Sequence, residues 1–159
     1  MLKHATGNLI DMAEQGEFDV IVHGCNCLNT MGSGIALEIR TRYPKAYAAD
    51  TLATEQWTIP VAKLGNFTCA TVGKGMPFII VNAYTQVNFA PRGIDHFEYE
   101  SFSLILRKLH AQWPAGKFGF PYIGMGLAGG DEIRIIKMLE DFADTVTKEG
   151  GSATLVRFG

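Results

Sequence analysis

The chain has 159 residues, 47% of them hydrophobic and 19% charged, with a formal net charge of −2. That length and apolar content suffice for one buried core, so one domain over residues 1–159 is expected. The charge argues against non-specific nucleic-acid binding, and no apolar run approaches the ~20 residues of a membrane span or resembles a signal peptide, so a soluble cytoplasmic protein is expected.

Three cysteines, Cys25, Cys27 and Cys69, give no disulfide framework. His23, Cys25 and Cys27 alternate along one segment, but neither a CxxC nor a second ligand pair accompanies them. They are read as half-buried groups beside a ligand loop, and no metal is predicted.

Taken in order, residues 2–6 form a weak first strand, Gly7 and Asn8 punctuate it, and Leu9, Ile10, Met12 and Ala13 mark a short helix ended by Gly16. Residues 19–23 are a second strand. The stretch VIVHGCNCLNTMGSGIALEIRTRY (20–43) then reads as strand, loop and helix, with Ile35, Ile39 and Tyr43 on one face of the helix after Gly34. Glycines at a helix start admit a ligand close to the backbone, and the free N–H groups of the first turn favour an anion, so a phosphate-bearing ligand is predicted here.

Pro44 should end or bend this helix, and residues 45–52 add another turn or two. Residues 67–72 and 78–84 read as strands of a hairpin, followed by a polar and aromatic loop over 84–93. Asp95 and Glu98 resemble a capping box for a helix with Tyr99, Phe102, Leu106, Leu109 and Trp113 on its stripe. Residues 117–122 are a strand, 123–130 a glycine-rich loop, 131–148 a helix buried through Ile135, Leu139, Phe142 and Val146, and 153–158 a closing strand.

Strands alternating with helices predict an α/β layer fold with a largely parallel sheet and a site outside the carboxyl ends of its strands. The loops 23–34, 84–89 and 123–131 converge there, which makes Thr85, Gln86, Ile123 and Gly130 candidate ligand contacts. The last loop holds a G-x-G-x-x-G at Gly124, Gly126 and Gly129, but the acidic residue that would complete a dinucleotide fingerprint roughly 20 residues on is missing. Two glycine loops that each open a helix can still close on a pyrophosphate, and a nucleoside diphosphate derivative fits that geometry. Tyr84, Phe89 and Tyr122 stand near the loops as aromatics that could stack on such a ligand, with core packing as the alternative.

GNLI near the N-terminus, VIVHGCNCLNTMGSGIA, VNAYTQ and FPYIGMGLAGGD, in this order and spacing, resemble the macrodomain family over nearly the whole chain. The branch it resembles contains ADP-ribose-1''-phosphate phosphatases, terminal ADP-ribose protein glycohydrolases and DNA ADP-ribosyl glycohydrolase antitoxins. The resemblance implies a three-layer α/β/α sandwich with a mixed, largely parallel central sheet and an ADP-ribose cleft at its edge. Asn8, Leu9 and Ile10 would meet the adenine end, although many macrodomains have Asp where this chain has Asn8. Asn26 matches the polar residue facing the distal ribose. Met31, Gly32, Ser33, Gly34 and Ile35 match the first phosphate loop, and Gly124, Met125, Gly126 and Leu127 the second.

Glycohydrolases of this branch are similar in carrying a lysine near the end of the strand that here reads VNAYTQ, and residues 82–86 hold no amine. A Schiff-base route through that segment is therefore not expected, and Lys63 and Lys74 lie outside the matching motif. Asp131, in GGD at a helix start, is read as a general base on the attacking water in preference to a cap alone. His23 is the second catalytic candidate, for the terminal phosphate or the leaving oxygen, and Asn26 the third. The expected activity is hydrolysis of ADP-ribose-1''-phosphate to ADP-ribose and phosphate, without metal or cofactor. The alternatives are a glycohydrolase or deacylase acting on an ADP-ribosylated macromolecule through a bound water, and a non-catalytic reader of ADP-ribose.

Overall fold

The computed structural model describes residues 1–32, 34–88, 94–126 and 128–159. Ser33, Phe89 and Leu127 lie outside the described residues. The elements are β1 (Lys3–Thr6), α1 (Leu9–Glu14), β2 (Val20–Asn26), α2 (Gly34–Arg42), α3 (Pro44–Gln56), a 3₁₀ turn (Pro60–Lys63), β3 (Phe67–Val72), β4 (Phe78–Gln86), α4 (Tyr99–Gln112), β5 (Lys117–Phe120), α5 (Glu132–Thr147) and β6 (Ser152–Arg157).

Among the described residues six strands form one sheet in the order β1-β6-β5-β2-β4-β3. Every neighbouring pair is parallel except β3 with β4, which form the expected hairpin. Period-two alternation splits β2 between two cores: Val20 and Val22 face the layer of α4 and α5, and Ile21 faces the layer of α1, α2 and α3. The arrangement is the expected α/β/α sandwich. α5 buries Ile135, Leu139, Phe142, Ala143 and Val146 at helical spacing, and α4 buries Phe102, Ile105, Leu106 and Leu109. No helix among the described residues is long and apolar enough to cross a membrane.

Four local expectations change. β2 runs on through His23 to Asn26, because Gly24 and Cys25 pair with Ala83 and Tyr84 of β4 before a register shift. β4 correspondingly reaches Gln86, and β5 stops at Phe120. Pro44 is the first residue of α3, where its missing N–H costs nothing, and the helix extends to Gln56. The capping box does not form. Glu98 is the N-cap of α4 without a side-chain bond, while Asp95 accepts from the Phe97 amide at 3.0 Å and from the Tyr99 hydroxyl at 2.6 Å.

Candidate functional site

The five parallel strands end along one edge, and the chain leaves each through a residue of the site: Asn8 after β1, Phe158 after β6, Pro121 after β5, Asn26 at the end of β2 and Gln86 at the end of β4. Two pockets lie there. The larger, about 630 Å³, is walled by Asn26, Thr30, Gln86, Tyr122, Ile123 and neighbours; the smaller, about 420 Å³, by Asn8, Leu9, Ile10, Glu38 and Phe158. Gly34, Ile35 and Pro121 belong to both, so the pockets form one trough across the strand ends. With strands ~4.8 Å apart, the four gaps from β1 to β4 give a trough roughly 19 Å long.

At the narrow end Leu9 and Ile10 are buried and form the apolar wall. The Asn8 oxygen accepts from the Asp11 amide at 3.0 Å and so caps α1, and its amide nitrogen lies 3.4 Å from Glu38. The carboxylate at this end is Glu38, whose Oε1 also takes a 2.9 Å bond from Arg42. Phe158 is 79% exposed and lines the pocket. Neither residue stood out in the sequence, although the Glu38–Arg42 spacing of an i, i+4 ion pair was a signal for the first.

The middle is glycine backbone. α2 opens at Gly34, whose φ is +57° and whose missing Cβ would meet nothing within 4 Å, so it faces the open trough. Met31 and Gly32 line the same wall, Met31 at φ +41° and held by burial. Across the trough stand Ile123, Gly124 and Gly126. Gly124 has φ +73°, and a Cβ there would strike the Phe97 ring at 2.3 Å. Met125 packs on the core, and Gly130 is pressed to the Gly124 carbonyl, so neither lines the trough.

At the wide end Asn26 lines the cleft and also holds its own loop, donating to Thr30 Oγ1 at 2.7 Å and accepting from the Leu28 amide at 2.8 Å. Gln86 lines it as well, and its side chain donates to the Asn88 carbonyl at 2.7 Å. Thr85 does not, being fully buried. Tyr122 forms part of the wall, with the Arg157 guanidinium stacked 4.7 Å from its ring centroid. Tyr84 is buried with its hydroxyl on Asp50, so it is a packing residue and not a stacking platform.

Two of the catalytic candidates are not brought to the cleft. His23 is 1% exposed inside the sheet, and its Nε2–H donates to Asn82 Oδ1 at 2.7 Å while the Asn82 amide is held by the Ala46 carbonyl. Burial lowers its pKa to about 4 against the opposing Asn82 bond, so the ring is neutral near pH 7. Asp131 is exposed at the start of α5 and accepts from the Arg134 amide at 3.2 Å, which makes it the N-cap. Neither lines the 630 Å³ cleft.

The floor of the wide end holds a polar cluster that sequence reasoning missed. Asp50, on the buried face of α3, accepts from the Tyr84 hydroxyl at 2.7 Å. Lys63, 1% exposed, donates to the Cys27 carbonyl at 3.0 Å and to Asn29 Oδ1 at 2.7 Å, fixing Asn29 at φ +59°. Burial raises the thiol pKa of Cys25, and raises that of Cys27 to about 11 despite Lys63, so both are neutral and inert. The signal for Asp50 was a carboxylate between Ala46 and Ala53 at i+4 and i+7 of a helix stripe.

No family model matches the chain. A curated phage T4 relative, described as an uncharacterized 17.5 kDa protein in the tk-vs intergenic region, is 30% identical over 142 residues, covering 82% of this chain and 83% of its own length. A Mycobacterium tuberculosis relative, a DNA ADP-ribosyl glycohydrolase, is 25% identical over 151 residues; the match covers 91% of this chain and 40% of that protein. The chain thus spans well under half of the mycobacterial relative. Among solved structures, the macrodomain of M. tuberculosis DarG superposes with a TM-score of 0.78 at 19% identity over 98% of this chain and 97% of that one. Thermosipho africanus DarTG in complex with ADP-ribose gives 0.70 at 14% identity, covering 91% and 39%. These superpositions show a shared fold, in this chain a six-stranded mixed sheet between helical layers. The chain has the macrodomain fold.

Proposed function

We propose that all 159 residues act as one ADP-ribose-binding macrodomain, and that it hydrolyses the bond from the distal ribose to a nucleobase. The observation that carries this reading is the continuous trough, apolar at one end, glycine-walled in the middle and polar at the other. Adenine occupies the 420 Å³ end, with Phe158 on its face and Glu38 accepting from its amino group, in place of Asn8. The diphosphate lies between the start of α2 and the 124–126 backbone, where helix N–H groups and the dipole favour its charge and no side chain intervenes at Gly34 or Gly126. The distal ribose reaches Asn26 and Gln86.

The glycosidic bond is ranked ahead of the phosphate ester because Asp131 and His23, which a phosphatase reading assigns to the terminal phosphate, stand off the cleft, and because the mycobacterial relative is described as a DNA ADP-ribosyl glycohydrolase. The phosphatase remains the second reading: an open anion seat at a helix start also suits a terminal phosphate. Incubation with an ADP-ribosylated single-stranded oligonucleotide and, separately, with ADP-ribose-1''-phosphate tests both. ADP-ribose released from the oligonucleotide supports the first reading, inorganic phosphate the second, and tight ADP-ribose binding with neither product leaves a reader.

A further inference from the structure

α3 packs on β3 and β4 through small residues, and Asp50 sits in the middle of that face, 0% exposed between Ala46 and Ala53. It nevertheless belongs to the wall of the 630 Å³ cleft, beside Cys25 and Asn26. Its two oxygens differ. Oδ1 accepts from the Tyr84 hydroxyl at 2.7 Å, whereas Oδ2 is buried with no hydrogen-bond partner among the described residues. A carboxylate that served only to hold α3 on the sheet would have both oxygens satisfied, since an unpaired buried oxygen costs ~1–3 kcal/mol and native interiors rarely keep one. An unpartnered oxygen on a residue of the cleft wall is free to be completed by what the cleft binds.

We infer that Asp50 is a catalytic carboxylate of this site, with Oδ2 accepting a proton from the water that attacks the distal ribose. The inference rests on the hydrolase reading above. In the step, the water oxygen bonds to the anomeric carbon and its proton passes to Oδ2. The bond from that carbon to the nucleobase nitrogen breaks, its electron pair staying on the nitrogen, which then takes the proton from Asp50 by way of solvent. The products are free ADP-ribose and the unmodified base.

The groups facing Asp50 suit this task. They are the Tyr84 hydroxyl from β4, the Lys63 ammonium from the 3₁₀ turn, and the thiols of Cys25 in β2 and Cys27 just beyond it. Burial raises the carboxyl pKa, and the Tyr84 bond and the Lys63 charge restrain the rise. A carboxylate lifted in this way takes a proton more readily than an exposed one, while a tyrosine bond and a lysine that is itself anchored favour its charged form.

The test compares wild type, Asp50→Asn and Tyr84→Phe for ADP-ribose affinity by calorimetry and for ADP-ribose release from an ADP-ribosylated oligonucleotide. Asp50→Asn is expected to bind within about 3-fold of wild type while kcat falls by about 100-fold or more. Retained turnover in this variant overturns the inference and leaves the hydrolase reading intact. A wild type that binds ADP-ribose but releases nothing overturns both, and a wild type that does not bind removes the reading itself. Tyr84→Phe keeps the carboxylate and removes the bond that favours its charged form, so the acid limb of its kcat profile moves to higher pH; an unmoved limb counts against Asp50 even where Asp50→Asn does not fold.

Discussion

His23, buried on Asn82, carries a pH dependence of folding. Its ring pKa, about 4 in the fold and ~6.5 unfolded, means that the unfolded chain binds the extra proton between those values. The stabilisation is fully present above pH 6.5 and is lost as pH falls towards 4, on the order of 3 kcal/mol for that span. Urea unfolding at pH 7 and pH 4.5 checks it: His23→Gln, which can keep a donor towards Asn82, should flatten that part of the decline, and an unchanged slope contradicts the assignment. Asp131 is a matter of stability too. Asp131→Ala removes a cap and should cost about 1 kcal/mol, with ADP-ribose affinity and turnover within about 2-fold of wild type; a large loss of turnover returns Asp131 to the chemistry. Both residues looked catalytic in the sequence because a polar residue at a strand end or helix start reads alike whether it faces a ligand or the backbone. The deciding partner of His23, Asn82, comes from a distant part of the chain, whereas that of Asp131 is the Arg134 amide three residues on, which serves a cap in the same way whether or not a ligand is near.

Elements show more of the same division. The long amphipathic helices α4 and α5 were legible, since their buried residues recur at the helical period and no other element decides them. β2 was legible only in its apolar half, because the pairing that carries it to Asn26 is supplied by β4. α3 was underestimated for a related reason: its buried face is Ala46, Asp50 and Ala53, too small and too polar to register as an apolar stripe. At α2 the glycine signal was read as a close approach of a ligand to the backbone, and it gives a separable prediction. Gly34→Ala adds a methyl that touches nothing in the protein, so its cost is the backbone strain of φ +57°, about 1 kcal/mol. The same methyl stands in the trough. ADP-ribose affinity should therefore fall by about 10-fold or more while the melting temperature falls by only ~2–4 °C, and equal affinity would place the ligand elsewhere.

Across the whole molecule, one largely parallel sheet lines up five strand ends, and the chemistry changes along that line from Phe158 and Glu38 to Asn26, Gln86 and Asp50. The order β1-β6-β5-β2-β4 brings residue 8 beside residue 158, an adjacency no local pattern announces, which is why the sequence pointed to Asn8 at this end of the trough and not to Phe158. The measurement that bears most directly on the account is a calorimetric titration of the protein with ADP-ribose, repeated on Phe158→Ala. Saturable one-to-one binding that the variant weakens by about 10-fold, as expected for the loss of one base-stacking ring, is the predicted result. An absence of saturable heat, or an affinity indifferent to Phe158, would contradict it.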